Sequence, residues 1–180
     1  MKSLLVHVCC AHCAAYTLRY WREQGYEVTA FWHNPNIHPY MEHEQRFGAA
    51  KTLAAQLAVP LIVSDGYEII DYFRQVAGHE GERCRHCFRM RLFRTAQVAL
   101  ENNFDVFTTT LLISPQQKHD LIRETGDSIA EETGMEFLYA DLRKRYSDSR
   151  HLTRPLDLYR QQYCGCVYSE WERYANIKIE

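Results

Sequence analysis

Residues 3–25 read SLLVHVCCAHCAAYTLRYWREQG. An apolar run of strand length, SLLVHV (3–8), passes into a helix-length segment (12–24) with apolar residues at three- and four-residue steps, and Gly25 follows as a stop. Three thiols crowd the join, at Cys9, Cys10 and Cys13. The alternation continues outward. Apolar, β-branched or aromatic runs recur at EVTAFW (27–32), PLIVS (60–64), DVFTTTLL (105–112) and EFLYAD (136–141), with helix-period segments over 40–57, 85–101 and 115–133. Strand alternating with helix predicts a mainly parallel five-stranded sheet covered on both faces, a three-layer α/β sandwich.

The stops agree with this reading. NPN (34–36) breaks the chain after the second run, Ser114-Pro115 opens the helix at 115, and Gly134 closes it. Residues 65–84 are less regular and hold a short helix over 67–77. The chain reads as a single domain over 1–180: an α/β core at 1–141, then a basic, cysteine-containing extension at 142–180, with a last short helix at 168–175, packed as a lid over the active edge. No repeat, low-complexity tract or linker interrupts it.

The 180 residues are 46 % hydrophobic with a formal net charge of -2, enough to bury a core and without a global field for polyanions. Any nucleic-acid contact must be local. The pI near 6.5 and mean hydropathy of -0.44 fit a soluble protein, and the N-terminal apolar run is too short for a membrane span, so the expected compartment is the cytosol. Seven cysteines in tight spacings there point to metal or redox chemistry rather than structural disulfides.

In such a sheet, ligands bind beyond the carboxyl ends of the strands. Cys9 and Cys10 end the first strand, Cys13 lies in the first turn of the next helix, and NPNIHP (34–39) ends the second strand at the same edge. Cys10 and Cys13 form one C-x-x-C at a helix N-terminus, where the backbone favours thiolate. Cys84 and Cys87 form a second in RCRHCFRMR (83–91), with Arg83, Arg85, Arg89 and Arg91 adding positive potential. Two such pairs are a strong metal signal, but spacing does not choose between zinc and an iron–sulfur cluster. Cys164-Gly165-Cys166 reads as a reversible two-electron store or as further ligands. His7 is a buried imidazole or a ligand, His12 and His86 are alternative ligands, and His33 and His38 are candidate substrate contacts. Arginines crowd 83–94 and, with Lys144, 143–160, interleaved with Phe88, Phe93, Tyr146, Tyr159 and Tyr163; they form a solvated face or a surface for phosphates and unstacked bases. Phosphate loops of the Walker or dinucleotide type, a nucleophile elbow and a zinc-protease helix are all missing.

Six motifs in order, HVCCAHC (7–13), FWHNPNIHP (31–39), RCRHCFRMRL (83–92), FTTTLLISPQQ (107–117), ADLRK (140–144) and LYRQQYCGCVYS (158–169), resemble the cobalamin-independent epoxyqueuosine reductases, the QueH family. One departure is His12, where the family's first motif usually carries proline. The resemblance implies a Rossmann-like, HUP-type fold and the last step of queuosine formation in tRNA. There the epoxide of epoxyqueuosine, at the anticodon wobble base, is reduced to the alkene and its oxygen leaves as water. It implies a 4Fe-4S cluster on Cys9, Cys10, Cys84 and Cys87, an additional mononuclear iron nearby, a redox-active Cys164/Cys166 disulfide, and an electron donor of unspecified identity. Cys13 joins the metal thiols without a settled role. On this basis Asp141 and His38 are expected near the oxygen, as proton relay or iron ligands, although Asp141 also reads as a helix N-cap. Substrate contacts are expected from His38, Asn34, Asn36, Arg143, Lys144 and Tyr163. Two rival readings are a zinc-stabilised tRNA-binding module and an iron–sulfur tRNA sulfur-transfer enzyme. The second ought to carry an S-G-G-x-D-S loop where this chain has CCAHCA.

Overall fold

Long aliphatic side chains make Ser3–His7 (β1) a strand buried on both faces, as the centre of a parallel sheet requires. The computed structural model describes residues 1–179. The other strands are β2 (Glu27–Trp32), β3 (Leu61–Val63), β4 (Val106–Thr109) and β5 (Glu136–Phe137). Helices span α1 (Ala11–Glu23), α2 (Tyr40–Gln56), α3 (Ile69–Val76), α4 (Arg83–Glu101), α5 (His119–Thr133), α6 (Tyr146–Thr153) and α7 (Val167–Ala175). All paired strands run parallel, in the order β3-β2-β1-β4-β5.

Period-two alternation along β1 divides the core. Leu4 and Val6 face Leu18 and Trp21 of α1 and Ala49 and Leu53 of α2. Leu5 faces Phe31, Phe107, Phe88 and Leu92 of α4, and Ile122 and Ile129 of α5. Each such side chain, fully withdrawn from water, contributes roughly 1.5–3 kcal/mol, so the expected three layers follow from the pattern. Gly126 lets α5 close on the sheet, because a Cβ there would fall 2.2 Å from the Phe137 ring. The chain winds outward from β1 to β3 and then crosses to β4 on the other side. The crevice at the carboxyl ends of β1 and β4 is therefore the topological switch point.

Some boundaries differ from the sequence expectation. The run 105–112 remains a strand only to Thr109, whose hydroxyl accepts the Leu111 N–H at 3.2 Å and turns Thr110–Ile113 into a 3-10 helix. The run 136–141 pairs over Glu136–Phe137 alone, with one further bond from the Leu138 N–H to Phe107 O at 2.9 Å. Pro115 sits in a turn closed by Gln117 N–H to Ser114 O at 3.3 Å, and α5 begins four residues later. Helix α6 has no counterpart in the periodicity. It docks on α1 through buried hydroxyls: Ser149 Oγ accepts the Tyr16 N–H at 2.9 Å and donates to His12 O, while Thr153 Oγ1 meets His12 Nδ1 at 2.6 Å.

Candidate active site

The thiol loop is built by the cap of α1. Cys10 is the N-cap residue in an extended conformation, and its Sγ accepts the Cys13 N–H at 3.3 Å. That cap draws the sulfurs of Cys9, Cys10 and Cys13 to within 4.8 Å of one another. Thr110, just past β4, pins the loop across the switch point; its hydroxyl accepts the Cys9 N–H at 3.0 Å and donates to Cys9 Sγ at 3.2 Å. Gln161 donates from its amide to Cys10 Sγ at 2.9 Å. Hydrogen bonds from Cys13 and Cys9, and then from the Cys13 N–H and Gln161, hold the Cys10 thiol well below the usual range, while donation to Cys10 pushes Cys9 and Cys13 up. Among the three thiols, the loop thus favours the thiolate form at Cys10 over Cys9 and Cys13.

Helix α4 brings the second C-x-x-C. Cys84 is half-buried and packs on the apolar cluster that Cys9 also touches, whereas Cys87 is buried beside Tyr72, Val76 and Cys166. Burial pushes Cys87 up to about 12. The arginines of this helix separate into two groups. Arg85 and Arg89 face α5 and pair with Glu124 and Glu132 at 2.8 and 2.7 Å. Arg83 pairs with Glu172 of α7 at 2.6 Å, and Arg91 is buried with its Nη2 unpaired.

The Cys164-Gly165-Cys166 segment is clamped from α2. Buried Arg46 donates to Cys164 O at 2.8 Å, Tyr163 O at 3.0 Å and Glu42 Oε1 at 2.7 Å; Tyr159 donates its hydroxyl to Glu42, and Tyr163 donates to His38 O. Glycine suits position 165 because a Cβ there would meet the Asn36 amide at 3.1 Å and Ile37 at 3.3 Å. The two thiols are free and point differently. Cys164 is exposed and accepts from the Gln117 amide at 3.3 Å, while buried Cys166 accepts the Ser169 N–H at 3.4 Å as the cap of α7.

These segments enclose a cavity of about 650 Å³. Cys9, Cys13 and Cys164 reach its wall, with Asn36, Arg91, Gln161 and Tyr163 among its polar lining. Asn36 Oδ1, Arg91 Nη2 and Gln161 Oε1 are buried polar atoms without partners among the described residues. Such atoms are costly to leave unpaired, which marks the cavity as one shaped for a polar ligand.

Of the remaining residues singled out in the sequence, His38, Asn34, Asp141, Arg143 and Lys144 lie beyond that lining, whereas His12 reaches it. His38 is buried against Tyr72 and Phe73, with Nε2 3.0 Å from Pro35 O and Nδ1 accepting the Val167 N–H; burial lowers it to about 4. Asn34 joins Val8 O to His7. Asp141 is exposed, paired with Arg143 at 2.5 Å, and accepts the Arg143 N–H at the start of the Arg143–Arg145 turn; the guanidinium holds its carboxyl well below the usual range. Lys144 is exposed beside it. His12 docks the C-terminal segment, meeting Thr153 and Tyr159 O. Arg46, Gln117 and Gln161 escaped the sequence reading. Both glutamines sit in quoted motifs, Gln161 three residues before Cys164, which is a signal, whereas Arg46 looks like an ordinary i,i+4 partner of Glu42.

Residues 4–172 match the family model described as "Epoxyqueuosine reductase QueH". The chain belongs to the QueH family. A curated QueH protein of Dehalococcoides mccartyi is 54 % identical over 173 residues, covering 96 % of this chain and 95 % of that one. A second, from Streptococcus pyogenes, is 37 % identical over 180 residues, covering 93 % and 70 %. Among solved structures, a predicted subunit of a tRNA methyltransferase from Methanocaldococcus jannaschii matches with a TM-score of 0.55 at 13 % identity, over 84 % of this chain and 74 % of that one; it shares the Rossmann-like fold. No helix of the described residues is long and apolar enough to cross a membrane.

Proposed function

We propose that this QueH-family chain reduces the epoxide of epoxyqueuosine in tRNA to the alkene of queuosine, with an iron–sulfur cluster on Cys9, Cys10, Cys84 and Cys87 and with Cys164 and Cys166 as a dithiol reserve. The observation that carries the reading is the meeting of the β1–α1 thiols and the Cys-Gly-Cys segment on one polar cavity at the switch point. The donor set fits: Cys9 and Cys10 belong to a close group of three thiols with no carboxylate among them, the soft ligand type of iron–sulfur and zinc centres, and Cys84 packs on the same apolar cluster as Cys9. A closed structural zinc site needs no cavity beside it, so the cavity favours catalysis over a zinc-stabilised module.

Removing an epoxide oxygen breaks two C–O bonds, takes in two electrons and two protons, and releases water. A bound 4Fe-4S cluster supplies one-electron transfer and Lewis acidity toward the oxygen. Oxidation of the Cys164/Cys166 dithiol to a disulfide releases two electrons and two protons, which balances the reaction, and an external reductant restores the thiols. Asn36 Oδ1 and Gln161 Oε1 accept from hydroxyls of the substrate ring. For tRNA, Arg150, Arg154 and Arg160 line the cavity and the adjoining cleft and make no ion pair among the described residues, so their guanidinium groups are free for phosphates. Residues 142–179 thereby act with the core as one catalytic unit.

The test is iron and sulfide counting on anaerobically reconstituted Cys9→Ala, Cys84→Ala and Cys13→Ala proteins, with mass analysis of epoxyqueuosine tRNA. Loss of the cluster in the first two and its retention in the third is expected. Full iron in Cys84→Ala, with loss in Cys13→Ala, would move the metal to the Cys9–Cys10–Cys13 group. A colourless, zinc-loaded wild type would refute the reductase reading.

A further inference from the structure

Arg91 stands apart from the other cations of the site. It is 2 % exposed, and among the described residues its Nη2 has no hydrogen-bond partner and its Nε makes only a long 3.4 Å bond to Cys87 O one turn back. No carboxylate pairs with it among the described residues; the guanidinium lies 5.7 Å from the centroid of the Phe88 ring. A buried guanidinium without a counter-charge is costly by several kcal/mol, so what it faces matters. Its charge reaches His7 and His33, which burial, this charge and, for His33, Arg94 keep neutral, so neither imidazole compensates it. It reaches sulfurs as well. Its charge acts on Cys87, Cys164 and Cys9, and it shares the cavity wall with the last two.

We infer that Arg91 is the counter-charge of the iron–sulfur centre, donating from Nη2 to an anionic sulfur of the bound cluster and favouring its one-electron reduction. The inference rests on the cluster reading proposed above. Reduction adds negative charge, which a fixed cation one hydrogen bond away stabilises more than it stabilises the oxidised form. Removing the cation therefore makes the cluster harder to reduce. Arg91 acts through the cluster, so it is a positioning residue rather than a catalytic one.

The experiment is a dithionite titration of the anaerobic holoenzyme, read by the electron paramagnetic resonance of the reduced cluster, with iron and sulfide counted in every sample. Arg91→Met is expected to lower the reduction constant at least about tenfold, which is 59 mV for one electron. Arg91→Lys keeps the charge but loses the fork, and is expected to fall less, by about threefold or more. Arg85→Met, which removes from the same helix an exposed cation paired with Glu124 of α5, should leave the potential unchanged. An iron-loaded Arg91→Met with the wild-type potential overturns the assignment and leaves the cluster reading standing. Should Arg91→Met fail to load, Arg91→Lys decides: an unchanged potential overturns the assignment and a fall supports it. Wild-type protein that binds no iron overturns both.

Discussion

Replacing Arg46 by methionine removes the clamp on the Cys-Gly-Cys segment while keeping most of the apolar volume. Three bonds go at once, to Glu42, Tyr163 O and Cys164 O, and the Glu42 carboxylate, itself 7 % exposed, loses its only cation among the described residues. Breaking a buried ion pair by removing one partner costs about 3–5 kcal/mol, mostly because the remaining charge is stranded. With a urea slope of about 2 kcal/mol/M, the unfolding midpoint should fall by roughly 2 M. Hydrogen exchange should accelerate over residues 159–166 before the sheet responds. Adding Glu42→Gln to Arg46→Met removes the stranded charge and should recover at least about 1 kcal/mol, a coupling read directly from the double-mutant cycle. If Arg46→Met unfolds within about 0.5 kcal/mol of wild type, the range of an ordinary surface change, the clamp does not hold the segment as described.

Two further outcomes follow from charge. Burial lowers His33 and His38 to about 4 from an unfolded value of 6.5, so as pH falls the unfolded chain takes up protons first. Stability is full above pH 6.5 and declines between pH 6.5 and 4, by up to about 3 kcal/mol per imidazole. Urea midpoints of metal-free protein at pH 7 and 4.5 check this, and His33→Gln should flatten the profile; a wild type already flat would refute it. Arg154→Gln should weaken tRNA binding irrespective of sequence and reduce the slope of log affinity against log salt by about 0.7–0.9, the signature of one lost phosphate contact. An unchanged slope would remove Arg154 from the RNA surface.

The layers were legible because β1 and its neighbours are buried on both faces and carry unbroken apolar runs, while α1 and α5 end at Gly25 and Gly134. Strand ends were overread where a hydroxyl intervenes, as at Thr109, since apolar content does not register a side chain capping the next turn. Helix α6 was hidden because it docks by Ser149 and Thr153 rather than by an apolar stripe. The cysteine loop was visible in spacing, but its closest grouping was not: the N-cap geometry of Cys10 brings Cys13 to Cys9, and a cap conformation is set by the fold. The arginines of α4 look alike in sequence, and only helix phase against α5 distinguishes the surface pairs Arg85 and Arg89 from the enclosed Arg91.

Helix α1 carries His12 and Cys13 in its first turn, just after the Cys10 cap, and Tyr16 in the next; His12 and Tyr16 seat Ser149, Thr153 and Tyr159. The segment seated there bears trypsin targets at Arg143, Lys144, Arg145, Arg150 and Arg160, Arg154 being shielded by the Pro155 that follows it. A brief tryptic digest is therefore a gauge of the thiol loop: protein whose cysteines are oxidised or miscoordinated should be nicked between 143 and 160 sooner than intact material, long before any loss of helix signal.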